Sequence, residues 1–249
     1  MQRIALGLAA LLLAGCLHTA APPASPQPDV APATSIAQFS DCIQFHAAFP
    51  AQANSFMARL PPGFTISTDA SGLTTLLVEP TSCANSTFGP LALLWITIPV
   101  TPPTWANGTP DSSLLIEMYS GNAAFTQWAH AAGMSLLAEC SCAATSTAAG
   151  PLLADGFTAS AKDNHYDLKT LLTPSPGTYA GGMQSLFTGN STHAARLLSI
   201  SRDSPTRGLG EGELQYQGTG GAPPILTTKA AHVVEHLSFT LQGSPIRFP

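Results

Sequence analysis

Between Leu91 and Val100 the chain runs Leu-Ala-Leu-Leu-Trp-Ile-Thr-Ile-Pro-Val, apolar on both sides of an extended backbone. Such a segment suits a central strand buried on both faces, so the fold has to supply a layer on each side of it. Shorter strand-like runs surround it: Phe64–Ser67, Leu73–Val78, Leu114–Tyr119, Met134–Cys142, Gly156–Ala161, His165–Leu172, Met183–Thr188, Ala194–Ser201 and Glu213–Gln217. Gly, Pro, Asn and Asp punctuate them. Helical signals are fewer. Ser35-Ile36-Ala37-Gln38 has the form of a capping box, and Ile36, Phe39, Cys42, Ile43 and His46 then fall on one helical stripe. Pro50 suits the first turn of a second helix carrying Ala53, Phe56, Met57 and Leu60, stopped by Pro61-Pro62-Gly63. Asn122 can cap a third, which buries Phe125, Trp128, Ala129 and Ala132 and stops at Gly133. Ala230–Leu241 suits a helix or a strand. Roughly nine or ten strands and three or four short helices, without strict alternation, predict an α+β fold with a large, mostly antiparallel sheet or barrel-like core.

The first 34 residues stand outside that fold. Arg3 precedes an uncharged apolar stretch, Ile4–Ala14, about half the ~20 residues a membrane-spanning helix requires, so residues 1–15 read as an export signal. The stretch ends in Leu13-Ala14-Gly15-Cys16, which resembles the bacterial lipobox. That resemblance implies cleavage before Cys16, acylation of Cys16 and a lipid anchor in the bacterial cell envelope. Leu17, where an aspartate would signal retention, implies the outer membrane, facing the periplasm, in a two-membrane organism. Residues 16–34 hold Pro22, Pro23, Pro26, Pro28 and Pro32 among small polar residues. They have too little apolar surface to fold and form an extended tether. Residues 35–249 are then a single globular domain.

That domain is weakly charged. Charged residues make up 9% of the chain, far below the usual ~25%. Leaving out Arg3 and Asp29 reduces 9 Lys+Arg to 8 and 14 Asp+Glu to 13, a net −5. This excludes a basic stripe for nucleic acid. Four cysteines follow Cys16: Cys42, Cys83, Cys140 and Cys142. In an oxidising compartment an even number reads as disulfides. On one extended strand Cys140 and Cys142 point to the same face and are poorly placed to bridge each other. The expectation is that they pair with Cys42 and Cys83, or that Cys42 bonds Cys83 and the other two stay thiols.

The stretch Leu60-Pro61-Pro62-Gly63-Phe64 leads into two strands, then into the long apolar strand ending near Pro99. A strand ending at Tyr119, a short helix running into Gly133 and another strand follow. This order resembles the acetoacetate decarboxylase-like superfamily, which implies a β-rich, barrel-like fold. The family's chemistry uses a lysine shortly after that helix, whose neutral amine forms a Schiff base with a keto acid. Here the matching stretch is Gly133-Met134-Ser135-Leu136, without lysine. The resemblance therefore implies a member without the Schiff-base machinery.

Three further patterns carry chemistry. His232-Val233-Val234-Glu235-His236 has H-x-x-E-H spacing. On a helix, His232 and His236 share a face and can hold a metal, with Glu235 as base for a bound water. The plainer expectation buries Ala230, Val233, Val234, Leu237 and Leu241 and leaves the motif in solvent. His165, Asp167 and Lys169 alternate along one strand face, which is either wet or lines a ligand cavity. Glu117, inside an apolar run, is a candidate pocket acid. No nucleophile elbow appears, Gly208-Leu209-Gly210-Glu211-Gly212 reads as a loop, and no cofactor is expected. Together these features suggest a lipid-anchored domain that binds a small apolar or weakly acidic ligand, or an envelope protein, without catalysis. A metal-dependent hydrolase and a decarboxylase-like enzyme are the alternatives.

Overall fold

The computed structural model describes residues 35–134, 137–149, 152–161, 164–189, 194–217 and 225–246. Residues 1–34, which carry the expected export signal, Cys16 and the expected tether, lie outside them, as do Ser135, Leu136 and Lys162. In chain order the strands are β1 (Ser35–Gln52), β2 (Thr65–Ile66), β3 (Leu73–Ser86), β4 (Leu91–Thr101), β5 (Asp111–Ser120), β6 (Leu137–Glu139) and β7 (Ser141–Ala149). They continue as β8 (Leu152–Ala161), β9 (Asn164–Tyr179), β10 (Met183–Gly189), β11 (Ala194–Ser201), β12 (Ser204–Gln217) and β13 (Ile225–Ile246). The fold is α+β with a sheet-dominated core.

Seven strands close a ring in the order β1-β3-β4-β5-β10-β11-β13, with β13 returning to pair with β1. All ring pairings are antiparallel except β5–β10. A wing of β12, β9, β8 and β7 branches from β13. The branch is possible because β13 is long: Phe239–Ile246 pairs with β11, whereas Ile225–Val234 pairs with β12. β1 runs along its other edge through both halves.

The helix expected from Ser35 to His46 is instead the first part of β1, and Ala230–Leu241 lies in β13. In both, a β-bulge produced a spacing that imitates a helix. Asp41 (φ 53) and His236 (φ 50) adopt left-handed backbone, and each inserts one residue into its strand. The buried series Ala37, Phe39 therefore resumes at Cys42, and Val234 is followed by Leu237, Phe239 and Leu241. A three-residue step between inward side chains is what a helical stripe shows. The two bulges face each other, with His236 Nδ1 2.8 Å from Asp41 Oδ1. The second expected helix is a 3-10 segment, Ala53–Arg59, and a second 3-10 turn spans Thr104–Ala106. Among the described residues the one α-helix is α1 (Ala123–Ala131). Its N-cap is Asn122, whose Oδ1 accepts from Phe125 N at 3.0 Å, and Gly133 (φ 91) ends it.

Two cores lie on opposite faces of β1, β3, β4 and β5. One joins Phe45, Phe49, Ile96 and Ile98 to the wing residues Phe157, Leu168 and Leu214. The other gathers inward residues of all seven ring strands, such as Phe39, Cys83, Leu93, Leu115, Leu186, Leu197 and Leu237, with Phe125 of α1. Along β4 the alternation is direct: Leu93 and Trp95 face the ring interior, Leu94 and Ile96 the wing.

Both cystines are local to these layers. Cys42–Cys83 links β1 to β3. Cys140 bonds Cys142, contrary to the expectation that the two are poorly placed to bridge each other. Cys140 belongs to neither β6 nor β7 but is the single residue between them. The Cα atoms come to 5.5 Å, near the separation most common in disulfides and shorter than the about 6.6 Å of a straight strand.

Candidate functional site

Going along the ring interior from the Cys42–Cys83 bond towards the fork, the lining changes from apolar to polar. On β1 the inward residues after Cys42 are Gln44 and His46, and on β3 those before Cys83 are Thr81 and Glu79. β4 adds Trp95 and Thr97, and β13 adds His232 opposite His46. Burying this many polar groups is costly unless they are paired. Gln44 Nε2 donates to Thr81 Oγ1 at 2.9 Å, and His46 Nδ1 lies 2.9 Å from Glu79 Oε1. Because the carboxylate only accepts, His46 holds its proton on Nδ1 and leaves Nε2 as an acceptor when neutral. The His46 ring stacks on His232 at 4.6 Å and packs 5.2 Å from Tyr179.

A cavity of about 190 Å³ opens beside this cluster. Gln44, Glu79, Trp95, Asp111 and Tyr179 form part of its wall, and the Ala180–Gly182 segment lines one side. Leu237 and Phe239 supply apolar surface. The cavity lies near the fork, where β13 passes from its pairing with β12 to its pairing with β11. Its field is negative. Burial and the neighbouring Glu79 raise the Asp111 carboxyl above its ordinary value. Burial, Glu79 and Asp111 together raise the Tyr179 hydroxyl, against a hydrogen bond with Ser201. Burial, then the adjacent His46, push His232 down to about 4, with Glu79 pulling the other way. Trp95 Nε1, Thr97 Oγ1 and His46 Nε2 are buried without a hydrogen-bond partner among the described residues.

The residues expected from sequence are distributed differently. His232 enters the ring cluster, but β13 is a strand, and the bulge sends His236 outward to Asp41. Glu235 lies between them in the bulged segment, so the helical chelating face that the H-x-x-E-H reading required does not form. Among the described residues no group of three His, Cys, Asp or Glu side chains is arranged to hold a metal. His165, Asp167 and Lys169 lie on the outer face of the wing, because Tyr166, Leu168 and Thr170 take the inner one. There His165 Nδ1 meets Ser160 Oγ at 2.7 Å and Lys169 Nζ pairs with Asp167 Oδ2 at 2.9 Å. Hydrogen bonding to Asp167 raises the Lys169 pKa, which keeps the amine charged. None of the three borders the cavity.

Glu117 sits at the other core. Tyr119 and Tyr166 both donate their hydroxyls to its Oε2. Burial raises its pKa, while the Tyr119 hydrogen bond and the Arg59 charge draw it back. Arg59 itself donates to the Ile116 carbonyl at 2.8 Å. Gln44, His46, Glu79, Asp111 and Tyr179 were missed from sequence. The available signal was Glu79, an acid directly continuing the apolar run Leu76-Leu77-Val78 into Pro80.

No family model matches the sequence, and no curated protein sequence matches it. Among solved structures, the chain is similar to an acetoacetate decarboxylase from Legionella pneumophila. The TM-score is 0.55 at 14% identity over 90% of this chain and 93% of that one. It is also similar to a second acetoacetate decarboxylase structure, with a TM-score of 0.56 at 11% identity over 86% of this chain and 90% of the other. At such identity the likeness establishes the fold: this is an acetoacetate decarboxylase-like barrel, as the order of its pieces implied.

Proposed function

We propose that this protein is a lipid-anchored envelope protein whose ring cavity binds a small polar ligand, neutral or cationic, without Schiff-base catalysis. One observation carries the reading. The cavity is bordered by Glu79 and Asp111, and neither lysine nor arginine is among its lining residues. Of the three lysines, Lys169 and Lys229 are exposed and paired with Asp167 and Glu211, and Lys162 lies outside the described residues. A keto acid would bring a further carboxylate into a site where burial and Glu79 already disfavour the charged form of Asp111. A ligand with donors, or an ammonium, meets carboxylates and the carboxamides of Gln44 and Gln184 instead. The weakly acidic ligand suggested by the sequence is therefore the less suited class.

Calorimetric titration of the intact protein in detergent, with small amines, polyols and keto acids, tests the proposal. One-to-one binding of an amine or polyol, weakened at least about tenfold in Asp111→Asn, is expected. Turnover of a keto acid, with a borohydride-trapped adduct on any lysine, would establish the decarboxylase-like alternative in its place. The anchor has a separate test. Cys16→Ser should move the protein from the membrane to the soluble fraction and abolish palmitate labelling.

A further inference from the structure

The two cystines differ in what they can do for the fold. Cys42–Cys83 joins residues 41 apart, so it removes a large loop from the unfolded chain. Cys140–Cys142 joins residues 2 apart. Closing so short a loop restricts the unfolded chain least. The backbone around it is already fixed: Cys140 N donates to Ser120 O at 2.9 Å, and Cys142 stands opposite Ala159 in the β7–β8 ladder. Crosslinking adds little to a segment held on both sides. Access points the same way. Cys42 and Cys83 are buried in the ring core, at 0% and 3% exposure. Cys140 and Cys142 are half-buried on either side of an exposed Ser141, and β7 is the last strand of the wing. Both pack against the rim of the wing core, yet unlike Cys42 and Cys83 each keeps part of its surface in solvent.

We propose that Cys140–Cys142 is a thiol–disulfide exchange site whose co-substrate is a dithiol. A thiolate of the dithiol attacks one cystine sulfur. The Cys140–Cys142 bond breaks, a mixed disulfide forms, and the released cysteine thiolate takes up a proton. The dithiol's second thiol then attacks its own sulfur in the mixed disulfide and expels the other cysteine. Two electrons pass from the dithiol to the cystine, leaving Cys140 and Cys142 as thiols and the partner as a disulfide. The reverse reaction, with an oxidised dithiol, restores the bond. Ring closure brings the resolving thiol back within reach, because only Ser141 separates the two cysteines.

Dithiothreitol serves as the probe, added to the intact protein in non-denaturing buffer, with differential alkylation and peptide mass spectrometry as the readout. Cys140–Cys142 should open at least about 100-fold faster than Cys42–Cys83 and close again with oxidised dithiothreitol. Cys140→Ser should leave Cys142 able to retain glutathione as a mixed disulfide. The Cys140→Ser/Cys142→Ser double variant should keep the parent's melting temperature within a few degrees while losing exchange. Opening of Cys140–Cys142 only in denaturant would overturn the proposal. So would a double variant that fails to fold, or free thiols at both positions that oxidised dithiothreitol does not close.

Discussion

Protonating His232 should weaken the fold, and the size of that effect follows from where β13 places the ring. The imidazole lies against His46 and is held neutral by burial, with its pKa lowered from 6.5 to about 4. In the unfolded chain it regains its ordinary value. Between those two pH values the unfolded state binds a proton that the folded state does not, so stability rises with pH across the window and falls on acidification. At about 1.4 kcal/mol per pKa unit, the full shift would correspond to about 3 kcal/mol. The ring is only half-buried, and solvent screening reduces this to about 1–2 kcal/mol. Asp111 and Glu117 act with the opposite sign, because raised carboxyl pKa values make the folded state bind protons first as pH falls. The informative quantity is therefore the difference between wild type and His232→Gln. Urea melts from pH 7 to pH 4 should show the wild type losing about 1–2 kcal/mol relative to the variant, with the loss complete near pH 4. A difference that stays flat, or an NMR titration of His232 near 6.5, would refute the placement of this ring in the cluster.

Three further outcomes follow from the packing. Removing the Cys42–Cys83 bond with paired alanines should cost up to about 4 kcal/mol by chain entropy, read as a lower urea midpoint. Gly133→Ala should destabilise by at least about 1–2 kcal/mol, because the residue has left-handed backbone and a Cβ there would lie 2.9 Å from that of Ala195. Glu117→Leu takes the acceptor from the Tyr119 and Tyr166 hydroxyls and should cost about 1–3 kcal/mol in thermal or urea melts, whereas Glu117→Gln should cost less.

Local chemistry made some elements legible in advance. Leu91–Val100 is the two-faced central strand its composition demands, and the Asn122 cap and Gly133 stop bound the α-helix where they should. β1 was hidden, and Ala230–Leu241 of β13 suits helix and strand alike, because bulges are set by pairing with other strands, which no local pattern records. Phe39 and Cys42, or Val234 and Leu237, look helical only while the intervening left-handed residue is unknown. The site was obscured for the same reason. His46 falls on an apparent helical stripe, and the apolar run that marks the third strand stops at Val78, just before Glu79, although β3 continues to Ser86. Cys140 and Cys142 depended on the break between β6 and β7 at Cys140, which their own sequence does not announce. The H-x-x-E-H spacing was real, but chelation needs a helix, and the ring needed a strand.

Pairing β1 with β13 also sets an order of assembly. β1 is the first strand described and β13 the last, and β13 carries the fork from which the wing departs. Neither the ring nor the wing can therefore acquire its edge until Ile225–Ile246 is available. The cost of bringing such distant segments together precedes any gain from packing them, so folding should be slow. Until then β1 is an open edge with apolar side chains exposed, a species that a chaperone would have reason to cover.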